Sequence, residues 1–197
     1  MRPLESVLTG LKNTSPVRHR FLCHLLGLLL LLPGRVPFRN LRRYSAYHEK
    51  TFSRWFAQGF DGVSVNRAAI MQVVPAAHEH GLAFDPSFVP KSGKRTYGLD
   101  RFWNGTHSRA EQGLERGGLA WVDVTANTAY ALRGEQTPPA RLADPEQSRI
   151  DAYVQHRTRV VTPHSWQPLQ YRVVDGYCGK KKCVDGVCPL GFHVVGK

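Results

Sequence analysis

The sequence predicts an α/β protein in two parts: helical to about residue 80, then a mixed sheet with flanking helices over 81–197. Three observations predict this. Apolar residues recur at helical spacing as far as about Glu79. From Gly81 the texture changes to short apolar or alternating runs bounded by Gly, Pro and Asp, which read as strands. A helical stretch then separates a hairpin from a later strand, and such a crossover is what parallel pairing requires.

The first strong element is "FLCHLLGLLLLLP", Phe21 to Pro33. It is shorter than the roughly 20 apolar residues a bilayer needs and carries His24. It also starts late for a signal peptide. A buried helix ended by Pro33-Gly34 is expected, apolar nearly all round and packed on several sides. In the next stretch Phe38, Leu41 and Tyr44 share one helical face, and Phe52, Trp55 and Phe56 share another. Two short helices joined by a tight turn over about 37–59 form a helix-turn-helix-like pattern. Arg42, Arg43 and Arg54 suit phosphate contacts, while Lys50, Thr51, Ser53 and Arg54 lie outward, with Ser53 and Arg54 able to reach base edges. A further helix from Val65 is interrupted at Pro75. His78 and His80 flank Glu79 and are expected on a solvated helix end, since two zinc-binding histidines on a helix stand one turn apart.

The sheet region opens with "LAFDPSFV", where Asp85 interrupts an apolar run. "KSGKRTYG" follows as a basic turn with Gly93 at its tip, bringing Lys91 and Lys94 as candidate DNA contacts. Gly117 to Gln136 reads as two strands around a turn near Ala126-Asn127, with Val122, Val124, Tyr130 and Leu132 as the alternating set. Glu111 and Glu115 lie before this hairpin and read as surface or DNA-proximal residues, Trp103 and Trp121 as core. The next helix is expected to be capped by Asp144 with Pro145 at its first position. "YRVVDGY" is a second apolar strand ending in a carboxylate, Asp175. "KKKCVDGVCPL" reads as a helical turn or two, and "FHVVGK" begins another strand.

Composition narrows the function. The 27 Lys and Arg against 15 Asp and Glu give a formal charge of +12, which favours a polyanionic partner, nucleic acid before an anionic membrane. Cys178, Cys183 and Cys188 stand with four residues between them but have no second ligand pair elsewhere, His164 and His193 forming none, and with Cys23 they read as reduced thiols. Asp85 alone is readable as a turn residue before proline, and Asp175 as an Asp-Gly turn. Together they place two carboxylates at the ends of strands that can be neighbours, where a divalent cation relieves their repulsion. Lys180, Lys181 and Lys182 are either a solvated helix start or, near Asp175, contacts to DNA backbone.

The blocks "LAFDPSFVPKSGKRTYGLDRFWNG" and "YRVVDGYCGKKKCVDGVCPLGFHVVGK" resemble the catalytic domain of bacterial insertion-sequence DDE transposases, and the resemblance runs from about Leu22 to the end. It implies an RNase H-like fold, preceded by a DNA-binding helical region. It also implies Mg²⁺ or Mn²⁺ on Asp85 and Asp175 as the first two acidic residues. The partners implied are terminal-repeat and target DNA and a second copy or full-length transposase, in a bacterial cytoplasm and not at a membrane. Such enzymes carry a third acidic residue, a Glu on a later helix; Asp185 comes too soon to replace it. The expectation is therefore the front part of a transposase, cut short by a frameshift, a stop codon or an incomplete gene. Two readings follow from it: a metal-dependent DNA cleavage and strand-transfer enzyme present as a catalytically incomplete copy, inactive alone for lack of the third carboxylate, or a DNA-binding remnant that competes with the full-length enzyme.

Overall fold

The structure is a computed structural model and describes residues 2–9, 15–142, 146–162, 169, 171–174, 181–182, 185 and 193–196. The chain forms two compact units, Met1–Val73 and Val74–Lys197.

The first unit is helical: α1 (Arg2–Thr9), α2 (Pro16–Leu31), α3 (Phe38–Arg43), α4 (Glu49–Phe56) and α5 (Gly62–Val73). Ser15 starts α2 by accepting the Arg18 N–H, with Pro16 at the first helical position, where its missing N–H costs nothing. Phe21, Leu22, Leu25 and Leu28 give α2 a buried stripe at i, i+1, i+4, i+7. They join Val7, Leu8, Leu41, Phe52 and Val65 in one core. Phe21 is its hub, with ring centroids 5.4 Å from Trp55, 5.5 Å from Tyr47 and 5.6 Å from Phe52. Packing on several sides does not extend to the end of α2, where Leu30 and Leu31 are 77% and 79% exposed. Tyr44 falls just past α3 and Phe56 lies on the outside of α4, so neither joins the core. No helix among the described residues is long and apolar enough to cross a membrane.

The second unit is a six-stranded sheet: β1 (His80–Pro90), β2 (Asp100–Asn104), β3 (Arg109–Asp123), β4 (Thr128–Gln136), β5 (Tyr171–Val174) and β6 (His193–Gly196). β3 pairs antiparallel with β1 along its length, and β1 pairs parallel with β5, which pairs parallel with β6. On its other side β3 pairs first with β2 and then with β4. α6 (Arg149–Val161) is the crossover between β4 and β5. This is a mixed sheet with a flanking helix, as the sequence predicts, antiparallel on the β3 side of β1 and parallel on the β5 side.

Several expectations need correction. β2 was not anticipated. The inward residues of β3 are Gly113, Glu115, Gly117, Leu119, Trp121 and Asp123, the opposite parity from Val122 and Val124. Alternation fixes only that one set faces in; α6 chooses which. Trp121 is core at 1% exposure, but Trp103 is 56% exposed. Glu115 is a buried β3 residue that accepts from the Tyr153 hydroxyl at 2.6 Å, and Glu111 sits in β3 held by Asn104, His107 and Arg109. His80 begins β1 fully buried, its Nδ1 accepting from Trp121 Nε1 at 3.4 Å. His78 pairs with the buried Asp123 at 2.8 Å. Neither histidine stands on a helix end. α6 starts at Arg149, with Ser148 and Asp151 forming a reciprocal capping box, four residues later than the Asp144 cap expected.

Candidate functional site

The site is built by the alternation of β1. His80, Leu82 and Phe84 point toward α6, so Ala83, Asp85 and Ser87 point to the other face. On the α6 side Phe84 lies 5.4 Å from Tyr153 and 5.7 Å from His156, with the buried Arg157 guanidinium 5.1 Å above its ring. Cation–π attraction and the Arg157 Nε to Tyr153 carbonyl bond, 3.2 Å, offset part of the cost of burying that charge. Beside it, burial pushes the His156 imidazole down in spite of Glu135, so the ring favours its neutral form. Gly113 and Gly117 of β3 leave room for the Phe88 and Phe84 rings, which a Cβ at either position would meet.

On the far side the surface is made of small groups. Asp85 is exposed and sits opposite Gly118, with Ala83 opposite Ala120. Ser87 Oγ donates to Asp85 Oδ2 at 2.8 Å. Along the same face run Ser87 opposite Arg116, Arg101 opposite Gln112, and Trp103 opposite Ala110. Among the described residues of β1 to β4, Asp85 is the one carboxylate on that face.

The register continues toward the second predicted carboxylate. Phe84 pairs with Val174, the last residue of β5, in a parallel ladder. Asp85 follows the first and Asp175 follows the second in the sequence. Asp175 itself, Lys180 and Cys178, Cys183 and Cys188 lie outside the described residues. The exposed Asp85 offers hard oxygen atoms, the donor type that Mg²⁺ and Mn²⁺ accept. Among the described residues no group of three or more His, Cys, Asp and Glu could hold a metal ion.

The remaining predicted residues fall in separate places. Arg42, Arg43, Lys50, Ser53 and Arg54 are exposed on α3 and α4, and Thr51 is half-buried. Lys91 and Lys94 are exposed in the segment between β1 and β2, and Lys181 is exposed beyond β5. Lys182 is engaged: its Nζ lies 2.7 Å from Asp151 Oδ2 in the capping box of α6. That lysine and Ser148 hold the Asp151 carboxyl down at about 2. Arg101, Trp103 and Arg116 share the face of Asp85; the two arginines were passed over in the sequence and Trp103 was read as core, although the alternation Arg101-Phe102-Trp103-Asn104 was an available signal.

A family described as DDE superfamily endonuclease matches residues 7–197. The chain belongs to that family. Among solved structures it resembles the Mos1 mariner paired end complex with Mn, at 10% identity and a TM-score of 0.31. It also resembles a pre-cleavage Mos1 transpososome, at 12% identity and a TM-score of 0.28. The alignments cover 93% of this chain and 59% of those chains, so the family member here spans less than two thirds of their length. No curated protein matches the sequence.

Proposed function

We propose that this DDE-family chain is a DNA transposase component whose sheet carries a divalent-metal site for cleaving and joining DNA strands. The observation that carries this reading is the β1–β5 register: Phe84 opposite Val174, each followed by an aspartate. Adjacent parallel positions bring two carboxylates close, and two unneutralised charges at such range repel. Asp85 and Asp175 would be the residues to hold Mg²⁺ or Mn²⁺. When bound, such an ion polarises a phosphoryl oxygen and lowers the pKa of bound water. Ser87 orients Asp85 by donating to Oδ2, and the small side chains around Asp85 let a phosphodiester approach the sheet. Lys180 and Lys181 hold backbone phosphates beside Asp175. Arg42, Arg43, Lys50, Thr51, Ser53 and Arg54 of the helical unit, with Lys91 and Lys94, bind DNA.

Two measurements test the halves separately. Mn²⁺ binding followed by the spin resonance of the free ion should be strong for the native chain and weak for Asp85→Asn and Asp175→Asn. Equal retention by both variants overturns the metal site. Arg54→Ala should weaken DNA binding several-fold at low salt and reduce the log–log salt slope by about one. An unchanged affinity and slope would remove Arg54 from the interface.

A further inference from the structure

We infer that Trp103 is a stacking platform for an unpaired DNA base, on the same sheet face as Asp85 and displaced from it along β3. The inference rests on the DNA-processing reading above and goes beyond it by assigning a strand-binding track.

The placement comes from register. Asp85 lies opposite Gly118 and Trp103 opposite Ala110, and both side chains point away from α6. Eight residues of β3 separate the two positions, about 27 Å at strand rise. That equals about eight phosphates of one strand at B-form spacing. Between them the face presents Arg116 and Arg101, with no carboxylate among the described residues. Basic groups that track a backbone, ending at an exposed aromatic ring, are the elements of single-strand binding.

An indole 56% exposed needs an explanation, because β2 is held firmly enough to bury it if burial were its role. Phe102, the next residue, is fully buried beneath the Arg149 guanidinium at 4.8 Å. Asp100 Oδ2 accepts the Ala140 N–H at 2.6 Å, and Arg101 Nη2 donates to the Ala110 carbonyl at 2.8 Å. The preceding segment is tied down too: Gln136, opposite Arg116 and so on this same face, donates to the Tyr97 carbonyl at 3.2 Å. Lys94 and Arg95 of that segment are exposed. A fixed strand presenting its ring to solvent loses little conformational entropy when a base stacks on it.

The test uses the full chain with an oligothymidylate of about 15 nucleotides and a duplex of equal length. Trp103→Ala should weaken oligothymidylate binding about tenfold, Trp103→Phe should keep most of it, and duplex binding should change less than about twofold. A second measurement does not depend on any variant folding: an iodouracil-substituted oligonucleotide should photocrosslink to Trp103 in the native chain. Native-like oligothymidylate binding by Trp103→Ala, equal losses on both probes, or crosslinks that avoid Trp103 each overturn the platform. If Asp85→Asn and Asp175→Asn bind Mn²⁺ as the native chain does while the Trp103 effects persist, the metal-site reading fails and the platform stands. Asp85-dependent Mn²⁺ binding with DNA binding indifferent to Trp103 is the reverse case.

Discussion

On the α6 side of the sheet, Phe84 is buried against Tyr153, His156 and Arg157 and Glu115 against Tyr153, with Leu119 and Trp121 buried on the same face; on the other side the same strands show Asp85, Ser87, Arg116 and Gly118 to solvent. One backbone serves both faces, so a residue's neighbour in sequence answers to the opposite constraint. The buried face is set by shape and by satisfied polar groups. The open face is set by what can approach it. Stability and the proposed metal chemistry are therefore separable by parity along β1 and β3.

Two glycines of β3, one on each face, test this difference most sharply. A Cβ at Gly113, on the buried face, would come within 2.6 Å of the Val89 carbonyl and the Phe88 ring. Gly113→Ala should cost about 3 kcal/mol, the upper range for overpacking. At Gly118 the nearest atom is the Asp85 carbonyl at 3.6 Å, an ordinary contact, so Gly118→Ala should stay within about 0.5 kcal/mol of the native chain. Urea unfolding of both variants measures the gap, and equal losses would erase the distinction between the faces. Next in size, Tyr153→Phe removes the donor at 2.6 Å from the buried Glu115 and should cost about 2 kcal/mol by the same measurement.

A smaller effect concerns the β2–β3 hairpin. Hydrogen bonds from Asn104, then Arg109 and His107, hold the Glu111 carboxyl at about 2 against an ordinary 4.5. A depressed folded-state pKa means stability that is present above 4.5 and lost as pH falls toward 2. Urea midpoints followed over that window should drop for the native chain and drop less for Glu111→Gln. Parallel curves would show that the cluster contributes nothing to folding.

The sequence carried the strands better than their facing. "LAFDPSFV" and "YRVVDGY" were legible because apolar runs ending in aspartate stand out, and the β3–β4 turn was legible at Ala126-Asn127, where Asn127 adopts φ 50°. Parity on β3 was not, because Glu115 and two glycines occupy inward positions that look polar or empty until α6 supplies partners. Tyr153 lies 38 residues from Glu115, beyond any local pattern. His80 was misread for the same reason: its acceptor role depends on Trp121, which is 41 residues away. The start of α6 was misplaced because Asp144-Pro145 and Ser148 are both sound helix-start signals, and only the Ser148–Asp151 reciprocity distinguishes them.

The proposed function stands on a divalent-metal site on the open face of the sheet, at Asp85. Its most direct test is the Mn²⁺ affinity of the native chain and of Asp85→Asn, measured by titration calorimetry. Binding by the native chain, a loss of about tenfold or more in the variant and an unchanged urea midpoint are expected, since Asp85 is exposed. Native-like Mn²⁺ affinity in Asp85→Asn would contradict it.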